Sequence, residues 1–502
     1  MSSVAKQIKA LSSKPIKAVI YTHAHADHTG GIGAFISQHQ VDAGNVEVIA
    51  SAKFIDAFVS ENSAIGPLMG QRAMLMYGLT LQASDKKQYV SGCCGHLTSG
   101  KTSFIAPSIT LPNSQVTRMV AGLELTFLPS GGENAAHMVI YAPQYDTVFI
   151  GDELQGPAAP QLHSPRGTKF RDVNAWVAAI DKIRALKPHH MLPGHGKAEY
   201  GQQNVANILV TYRDAMQYQH DQAIRLINQG KSPDDLANEI VMPDYLTIDP
   251  YTIQTYGNVK TNVRSFYSGY VSWYDGNPTN LDPLPLVTKD QRLVAAMGGR
   301  DKVLKLSEDA LKSGEIKWSL TLSDKLVRID NNDTKARYLK AAALRHLGYA
   351  SINSSNRGFY LGSADQLDGL ISSDKIAAIA KHTLFSQGVI AGTSTHALLE
   401  SLRYKVRPEI IKGGDYGFYF EFSDTKEDFT LNFRHGILAI TTGKHPHQLA
   451  IKTDRQRFNR LFTQSKPPAL ATLGEITGDA TLTTLFDEAI DLTFHPIRFA
   501  VQ

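Results

Sequence analysis

Cysteine is nearly absent from this chain, which contains only Cys93 and Cys94, adjacent to each other. A disulfide between neighbouring residues closes a strained ring, so a disulfide framework is excluded while the redox compartment stays open. A run of about 18 or more apolar residues is also missing, which excludes a membrane-spanning helix. The net charge of +4 is small for 502 residues, and Lys and Arg form no block. Nothing therefore indicates a nucleic-acid partner.

The chain is long and contains enough apolar residues to form several hydrophobic cores. Its 502 residues, 42% of them hydrophobic, suffice for two or three packed domains. Residues 1–192 alternate short β-rich runs with helical stretches, which is typical of an α/β sandwich whose chemistry lies on the loops after the strands. The predicted strands cover residues 18–21, 46–50, 123–128, 138–141 and 147–150.

The rest of the chain predicts two further units. A helical pattern begins near residue 201 and includes helix pairs over residues 300–348, interrupted at KSGE and DNND as in tetratricopeptide-type repeats. Strand patterns return in YGFYFEFS and DFTLNFRHGILAITTG. We therefore expect an α/β domain over residues 1–200, an all-α domain over 201–368 and an α+β domain over 369–502.

The stretch VIYTHAHADHTGG places metal-binding side chains directly behind an apolar strand. Side chains alternate along a strand, so His23 and His25 point to one side. Asp27 and His28 project toward a second point as the chain curls into a helix, so one segment can serve two metal ions. Imidazole with carboxylate favours Zn²⁺, with Mn²⁺ and Fe²⁺ as lesser options. The alternative is a polar loop with chance histidines.

This stretch resembles the HxHxDH motif of the metallo-β-lactamase superfamily. In the order of that family's ligands, PSGGENAAHM supplies Glu133 in the usual place of a histidine, TVFIGDELQG supplies Asp152, and HHMLPGHG supplies His195. The glutamate is similar to that of the linear primary alkyl sulfatases of this superfamily. SPRGTKFRD, TYGNVKTNVRSFYSGYVSWYDGNP and NRGFYLGSADQL resemble further segments of the same family. The resemblance covers nearly the whole chain.

The resemblance implies a fold and an activity. The fold is a metallo-β-lactamase αββα sandwich, followed by a helical dimerisation domain and a C-terminal domain similar to sterol carrier protein. The activity is hydrolysis of an alkyl sulfate ester such as dodecyl sulfate by metal-activated water, with two Zn²⁺ per chain. The implied partners are an amphiphilic sulfate ester and a second copy of the chain.

The resemblance also assigns the metal ligands. One zinc takes His23, His25 and Glu133. The other takes Asp27, His28 and His195, with Asp27 also counted among the catalytic residues. Asp152 is shared between the two ions, and the adjacent Glu153 is the alternative bridging ligand.

Two arginines are candidates for binding the substrate, and the first of them, Arg166, is also counted among the candidate catalytic residues. Arg166 offers a planar fork of donors to the sulfate, although an ion pair at the surface or between domains is the alternative. Arg171 is a second candidate, equally compatible with a local ion pair with the aspartate that follows it.

One position departs from the family pattern, because Thr261 stands where the family has a histidine thought to act as general acid. Threonine cannot supply a proton near pH 7. Tyr256 and Asn262 are candidates for catalytic contacts and Lys260 for a substrate contact, each with a structural role as the alternative. The resemblance implies sulfate as the leaving group, which is weakly basic and needs little protonation, so we expect activity to be lowered or redirected to other sulfate or related esters rather than abolished.

The start of the chain is also unusual for the fold. Only MSSVAKQIKALSSKPIK precedes the motif strand, where the fold normally builds several strands. We expect either an N-terminally incomplete sandwich or an uncommon variant. The family suggests a periplasmic or secreted location, but these residues lack the apolar core of a signal peptide. Two alternative functions stay open: another hydrolase of this fold, and a catalytically impaired protein that binds metal or lipid.

Overall fold

The computed structural model describes residues 2–81, 102–464 and 466–501. Cys93 and Cys94 lie outside the described residues. Two sheets form the first part of the chain. The smaller sheet is parallel, in the order β1-β2-β3, and comprises β1 Ala18–Ile20, β2 Glu47–Ser51 and β3 Ile109–Leu111.

The larger sheet has the sequential order β4 to β9, and its neighbours are antiparallel except for the parallel pair β7 and β8. Its strands are β4 Val116–Val120, β5 Leu123–Pro129, β6 Met138–Ala142, β7 Thr147–Gly151, β8 His190–Pro193 and β9 Glu199–Tyr200. One buried cluster joins Ile49 and Leu111 of the small sheet to Phe127 and Ile140 of the large sheet. The two sheets therefore pack face to face.

Helices cover both outer faces of this pair of sheets. The helices of this part are α1 Ser2–Leu11, α2 Ala26–Thr29, α3 Gln38–Asp42, α4 Phe54–Val59, α5 Gly66–Met76 and α6 Val173–Ala185. Helix α4 packs Phe54 and Phe58 against the small sheet. Helix α6 packs Trp176 and Ile180 against the large sheet. The layers run helix, sheet, sheet, helix, so the predicted αββα sandwich is confirmed.

A helical region follows the sandwich. Its helices are α7 Gln202–Ile227, α8 Pro233–Glu239, α9 Val259–Tyr270, α10 Leu286–Ala296, α11 Arg300–Ser313, α12 Ile316–Ile329, α13 Thr334–Ala350 and α14 Ser354–Leu367. Gly314, with φ of +85°, ends α11, and the Asp333 carboxylate accepts the Ala336 N–H at the start of α13. The end of α11 and the start of α13 thus lie at the predicted interruptions KSGE and DNND. Helices α7 and α9 share the core of the large sheet.

The C-terminal region contains one mixed sheet in the order β12-β11-β10-β13-β14. Its elements are α15 Ser373–Leu384, α16 Gln387–Gly392, α17 Thr395–Leu402, α18 Pro408–Ile411, β10 Asp415–Phe422, β11 Glu427–Arg434, β12 Ile437–Thr442, β13 Leu449–Thr453, α19 Arg455–Thr463, β14 Glu475–Gly478 and α20 Leu482–Ala489. Alternation along β10 places Phe418, Phe420 and Phe422 on one buried face. The likeness to sterol carrier protein stays a prediction.

The chain end returns to the first part of the fold. The Gln71 side chain on α5 donates to the carbonyl of His495 and accepts the N–H of Ile497. Lys340 of α13 donates to the carbonyl of Ala500. Within the described residues, no helix has both the length and the apolar character needed to cross a membrane.

Candidate active site

The motif histidines lie in the loop between β1 and α2. His25 is extended, with φ of −70° and ψ of 147°, and α2 begins at the next residue. The Thr29 hydroxyl donates to the carbonyl of His25, which ties the loop to the helix. The ring nitrogens His23 Nε2 and His25 Nδ1 lie 3.0 Å apart. The expectation that these two side chains point to one side therefore agrees with the structure.

The first group of ligand atoms is fully buried and contains His23, His25, Glu133 and Asp152, with one atom of each within 4.8 Å of the others. Glu133 Oε2 lies 3.3 Å from His25 Nδ1 and 3.8 Å from His23 Nε2. The glutamate that the family resemblance singled out thus lies beside the motif histidines.

The second group is closer to solvent and contains Asp27, His28 and His195. The two imidazole nitrogens His28 Nε2 and His195 Nε2 lie 3.3 Å apart. Asp27 Oδ2 lies 3.5 Å from His28 Nε2 and 3.4 Å from His195 Nε2. The half-exposed Asp27 therefore borders both imidazoles from the open side.

Asp152 follows β7 and lies between the two groups. Its Oδ1 is 3.3 Å from His28 Nε2, and its Oδ2 is 3.5 Å from His195 Nε2 and 3.8 Å from His23 Nε2. Glu153 points elsewhere: its Oε1 accepts the Gly132 N–H, and burial raises the pKa of this carboxyl to about 8. The structure thus brings Asp152, and not the alternative Glu153, into contact with both groups.

The donor set fits two metal ions. Tetrahedral zinc with bonds of about 2.0 to 2.1 Å to nitrogen would place neighbouring ligand atoms roughly 3.3 Å apart, and the contacts above run from 3.0 to 3.8 Å. Glu133 Oε2 and Asp152 Oδ1 are buried oxygens with no hydrogen-bond partner among the described residues. Only imidazole nitrogens face them at 3.3 Å. Such oxygens are suited to a cation.

Charges are tightly coupled across the second group. Burial lowers the pKa of His195, but the carboxylates of Asp152 and Asp27 raise it to about 10. Burial raises the pKa of Asp152, yet His28 and His195 hold it well below its usual range. The raised pKa values of His28 and His195 favour protonated imidazoles in the metal-free protein, and metal binding releases such protons.

A second layer, which the sequence does not reveal, holds these ligands in place. His137 stacks on His23, with 4.9 Å between ring centroids, and burial lowers the pKa of His137 to about 3. Its Nε2 accepts the backbone N–H of Asp152, so its Nδ1 carries the proton and donates to Ser130 Oγ. A neutral histidine therefore fixes the backbone of the shared aspartate.

Glu61 is another buried residue that the sequence analysis missed. Its Oε2 lies 3.2 Å from His25 Nε2, the ring nitrogen on the far side from the ligand group. No local signal marks it, because it lies in a helical segment distant in sequence from the motif.

Arg171 lies against Glu133. Its guanidinium forms an ion pair with Glu133 and donates to the carbonyl of Gln161 at 2.7 Å. It also lies over the Trp176 ring, 5.9 Å from the centroid. The following Asp172 caps α6 instead of pairing with Arg171. The two terminal nitrogens of Arg171 thus already have acceptors within the protein. A sulfate contact for Arg171 stays a prediction.

Arg166 is arranged differently. No described residue forms an ion pair with it, and its buried Nε has no hydrogen-bond partner among them. The electrostatic influence of Tyr77, Tyr256 and Asp27 reaches this guanidinium. Arg166 is thus a cation beside the site that forms no ion pair with any described residue, although the carboxylates of Asp27 and Glu61 act on it electrostatically.

The remaining predicted residues lie in or near the first turns of α9. Tyr256 is buried, and its hydroxyl lies 3.3 Å from that of Tyr77. The Asn262 amide donates to Pro160 and Gln219.

Asn262 Oδ1 in turn accepts the N–H of Leu162. The Asn262 side chain therefore holds the loop before Arg166 through hydrogen bonds to Pro160 and Leu162. Lys260 is exposed. Thr261 donates its hydroxyl to the carbonyl of Asn258 at 2.9 Å. The catalytic roles of Tyr256 and Asn262 and the substrate contact of Lys260 stay predictions.

Two family models match this chain. Residues 2–195 match the metallo-β-lactamase superfamily, and residues 232–369 match the alkyl sulfatase dimerisation family. A linear primary-alkylsulfatase from Pseudomonas sp. is 35% identical, over 99% of this chain and 96% of the relative. An alkyl/aryl-sulfatase from Saccharomyces cerevisiae is 34% identical, over 70% of this chain and 55% of the relative.

A solved structure extends the likeness to the whole fold. It is a stereoselective inverting sec-alkylsulfatase from Pseudomonas sp., 28% identical, with a TM-score of 0.88 over 98% of this chain and 78% of the other. The likeness thus includes the helical and C-terminal regions as well as the sandwich. The chain therefore belongs to the alkylsulfatases of the metallo-β-lactamase superfamily and is a metal-dependent hydrolase of sulfate esters.

Proposed function

We propose that this protein is a binuclear zinc hydrolase of linear primary alkyl sulfates, converting a substrate such as dodecyl sulfate to the alcohol and sulfate. The observation that carries the dizinc centre is the position of Asp152, whose two oxygens face imidazoles of both ligand groups. The primary-alkyl preference rests on the 35% identical relative, which matches over almost the full length of both chains.

We propose the division of ligands that the resemblance implies. His23, His25 and Glu133 would hold one zinc, Asp27, His28 and His195 the other, and Asp152 both. When bound, zinc supplies a nucleophile at neutral pH by lowering the pKa of water to about 7. The protein's task is then to hold its ligands rigidly and to orient the ester.

Arg166 is the proposed sulfate-binding residue. A guanidinium presents donors in a planar fork that matches an oxyanion. Since no described carboxylate forms an ion pair with Arg166, its charge is available to a substrate. Tyr256 borders the same space and would add a hydroxyl.

Thr261 is not expected to protonate the leaving group. Its hydroxyl is used in the first turn of α9 and has no acidic proton near pH 7. Cleavage of the bond between carbon and the ester oxygen releases sulfate, a weak base that needs little protonation. We infer that the centre operates without a general acid at this position.

The alkyl chain and the second subunit use other parts of the fold. A cavity of about 710 Å³ in the C-terminal region has an apolar side formed by Leu461, Phe486, Ile490 and Phe494, which we propose for the alkyl chain. Its remaining lining includes the charged residues Asp374, Lys381, Arg407, Lys466, Asp487 and Asp491. In the matched dimerisation region, large apolar side chains are exposed, among them Trp273, Leu281 and Leu286. We propose that residues 369–502 form a sterol-carrier-like domain and that residues 201–368 form a homodimer interface.

The experiment loads the purified protein with zinc, measures bound zinc per chain, and assays free sulfate after incubation with dodecyl sulfate. We expect about two zinc ions per chain and steady sulfate release. Asp27→Ala removes a ligand of the exposed group, so release should be lost while the first ion remains. Zinc near two without sulfate release would support a metal-binding protein that is not catalytic. Zinc near zero would refute the dizinc centre.

A further inference from the structure

His25 lies between two carboxylates that play different parts. Its Nδ1 faces the ligand group, 3.3 Å from Glu133 Oε2 and 3.0 Å from His23 Nε2. Its Nε2 faces away from that group and lies 3.2 Å from Glu61 Oε2. Both nitrogens of this buried ring therefore have a carboxylate oxygen nearby, and only one of these oxygens belongs to the ligand group.

Glu61 is itself firmly held. It lies in a single turn of π-helix, Ser60–Ala64, that continues α4, and it is only 8% exposed. Its second oxygen, Oε1, accepts from the Asn134 side chain at 3.2 Å. Asn134 accepts the N–H of Ala136 and directly follows the ligand Glu133 in sequence. Glu61 thus joins helix α4 to both His25 and the loop that carries Glu133.

Imidazole chemistry gives this contact a consequence. A neutral histidine carries one proton on one ring nitrogen, and the hydrogen bond made by that nitrogen decides which one it is. A carboxylate beside Nε2 accepts a hydrogen bond from an N–H on that nitrogen, which leaves the Nδ1 lone pair free for a metal ion.

We propose that Glu61 is a positioning residue for the first zinc, fixing the tautomer and ring orientation of His25 so that Nδ1 binds the ion. Glu61 is not a ligand, because its oxygen lies on the opposite side of the ring and outside the group of ligand atoms. The proposal rests on the dizinc function proposed above. It predicts an effect confined to one of the two ions, since no contact between Glu61 and Asp27, His28 or His195 is present.

The test measures the affinity of each ion in Glu61→Ala, Glu61→Gln and the unaltered protein, by zinc titration against a competing chelator and by the visible spectrum with Co²⁺. Loss of such an outer-shell partner typically weakens metal binding 10- to 100-fold. We expect a loss of this size for the first ion in Glu61→Ala, unchanged affinity for the second, and altered intensity of the first Co²⁺ bands. Glu61→Gln keeps an acceptor for Nε2–H and should recover part of the affinity.

Asp290→Ala is the matched control, because it also removes a buried carboxylate, one that pairs with Lys325 and Arg328 in the helical region. This control should retain both affinities. Equal affinity of the first ion in Glu61→Ala and the unaltered protein would overturn the positioning role while leaving the dizinc proposal intact. Equal weakening of both ions in Glu61→Ala would also overturn it. Absence of zinc from the unaltered protein would overturn the proposed function itself.

Discussion

Removal of the Arg171 side-chain charge is the sharpest test of how the glutamate ligand is held. The ion pair between Arg171 and Glu133 is buried on both sides, with 5% and 2% of the side chains exposed. Burial raises the pKa of Glu133 above its usual value, while Arg171 is the largest influence that lowers it. Arg171→Met removes the guanidinium that pairs with Glu133 and lies over Trp176, and it leaves Glu133 without its counter-charge.

The size of the effect follows from that burial. Breaking a buried ion pair by removing one partner costs about 3 to 5 kcal/mol. Protonation of Glu133 limits the penalty, so we expect about 3 kcal/mol in the metal-free protein. A bound metal ion replaces the lost positive charge, so the difference should shrink when zinc is added.

The assay is urea unfolding followed by tryptophan emission, with and without zinc. Of the three tryptophans, Trp176 is fully buried in the sandwich, whereas Trp273 and Trp318 are 68% and 48% exposed. The shift in emission wavelength on unfolding therefore reports mainly on Trp176. With a urea dependence of about 3 kcal/mol per M, the midpoint of metal-free Arg171→Met should fall by about 1 M.

Arg166→Met is the matched control, because it removes a guanidinium that no described carboxylate pairs with. It should shift the unfolding midpoint little and raise the KM for dodecyl sulfate at least tenfold. An unchanged midpoint in Arg171→Met, together with a raised KM, would refute the ligand-holding role and support the sulfate contact predicted from sequence.

Three further changes test other parts of the fold. Gly194→Ala places a methyl group against the Asp152 carboxylate and 2.8 Å from His28 Cε1, so zinc affinity should fall at least tenfold in a chelator titration; unchanged affinity would contradict the shared position of Asp152. Thr261→His adds a proton donor, but because sulfate is a weakly basic leaving group, sulfate release near pH 7 should rise by no more than about tenfold; a larger rise would contradict the inference that the centre operates without a general acid. Leu286→Asp adds charge to an apolar side chain that is 61% exposed, so sedimentation should detect monomer; a persistent dimer would place the interface elsewhere.

Much of the site was predictable from local sequence. The alternation of apolar residues marks β1, and the motif behind it carries ligand-type side chains at the spacing of a strand end. The order Glu133, Asp152 and His195 came from resemblance to a family, and the structure gathers all three with the motif. The strands Ile109–Leu111 and Val116–Val120 were not predicted, because they are short and their apolar pattern is weak.

The partners of individual charged groups were not predictable. Arg166 and Arg171 are close in sequence and chemically identical, yet one pairs with Glu133 and the other has no ion pair among the described residues. Asp152 and Glu153 are adjacent, yet the Asp152 carboxylate faces the imidazoles while the Glu153 carboxylate accepts the Gly132 N–H. The partner that each charged side chain meets depends on which surfaces pack together in the folded protein.

By itself, the sequence determined the ligand types of the motif and the alternation typical of an α/β fold, because periodicity and spacing act over a few residues, whereas the order of the later ligands followed from resemblance to a family. The tertiary structure alone decided that Glu61 meets the far nitrogen of His25 and that Arg171 meets Glu133. These contacts join segments distant in the chain, and burial in the packed sandwich removes the water that would otherwise satisfy each charge. The physical reason is that a partner in three dimensions is selected by packing, which local patterns do not encode.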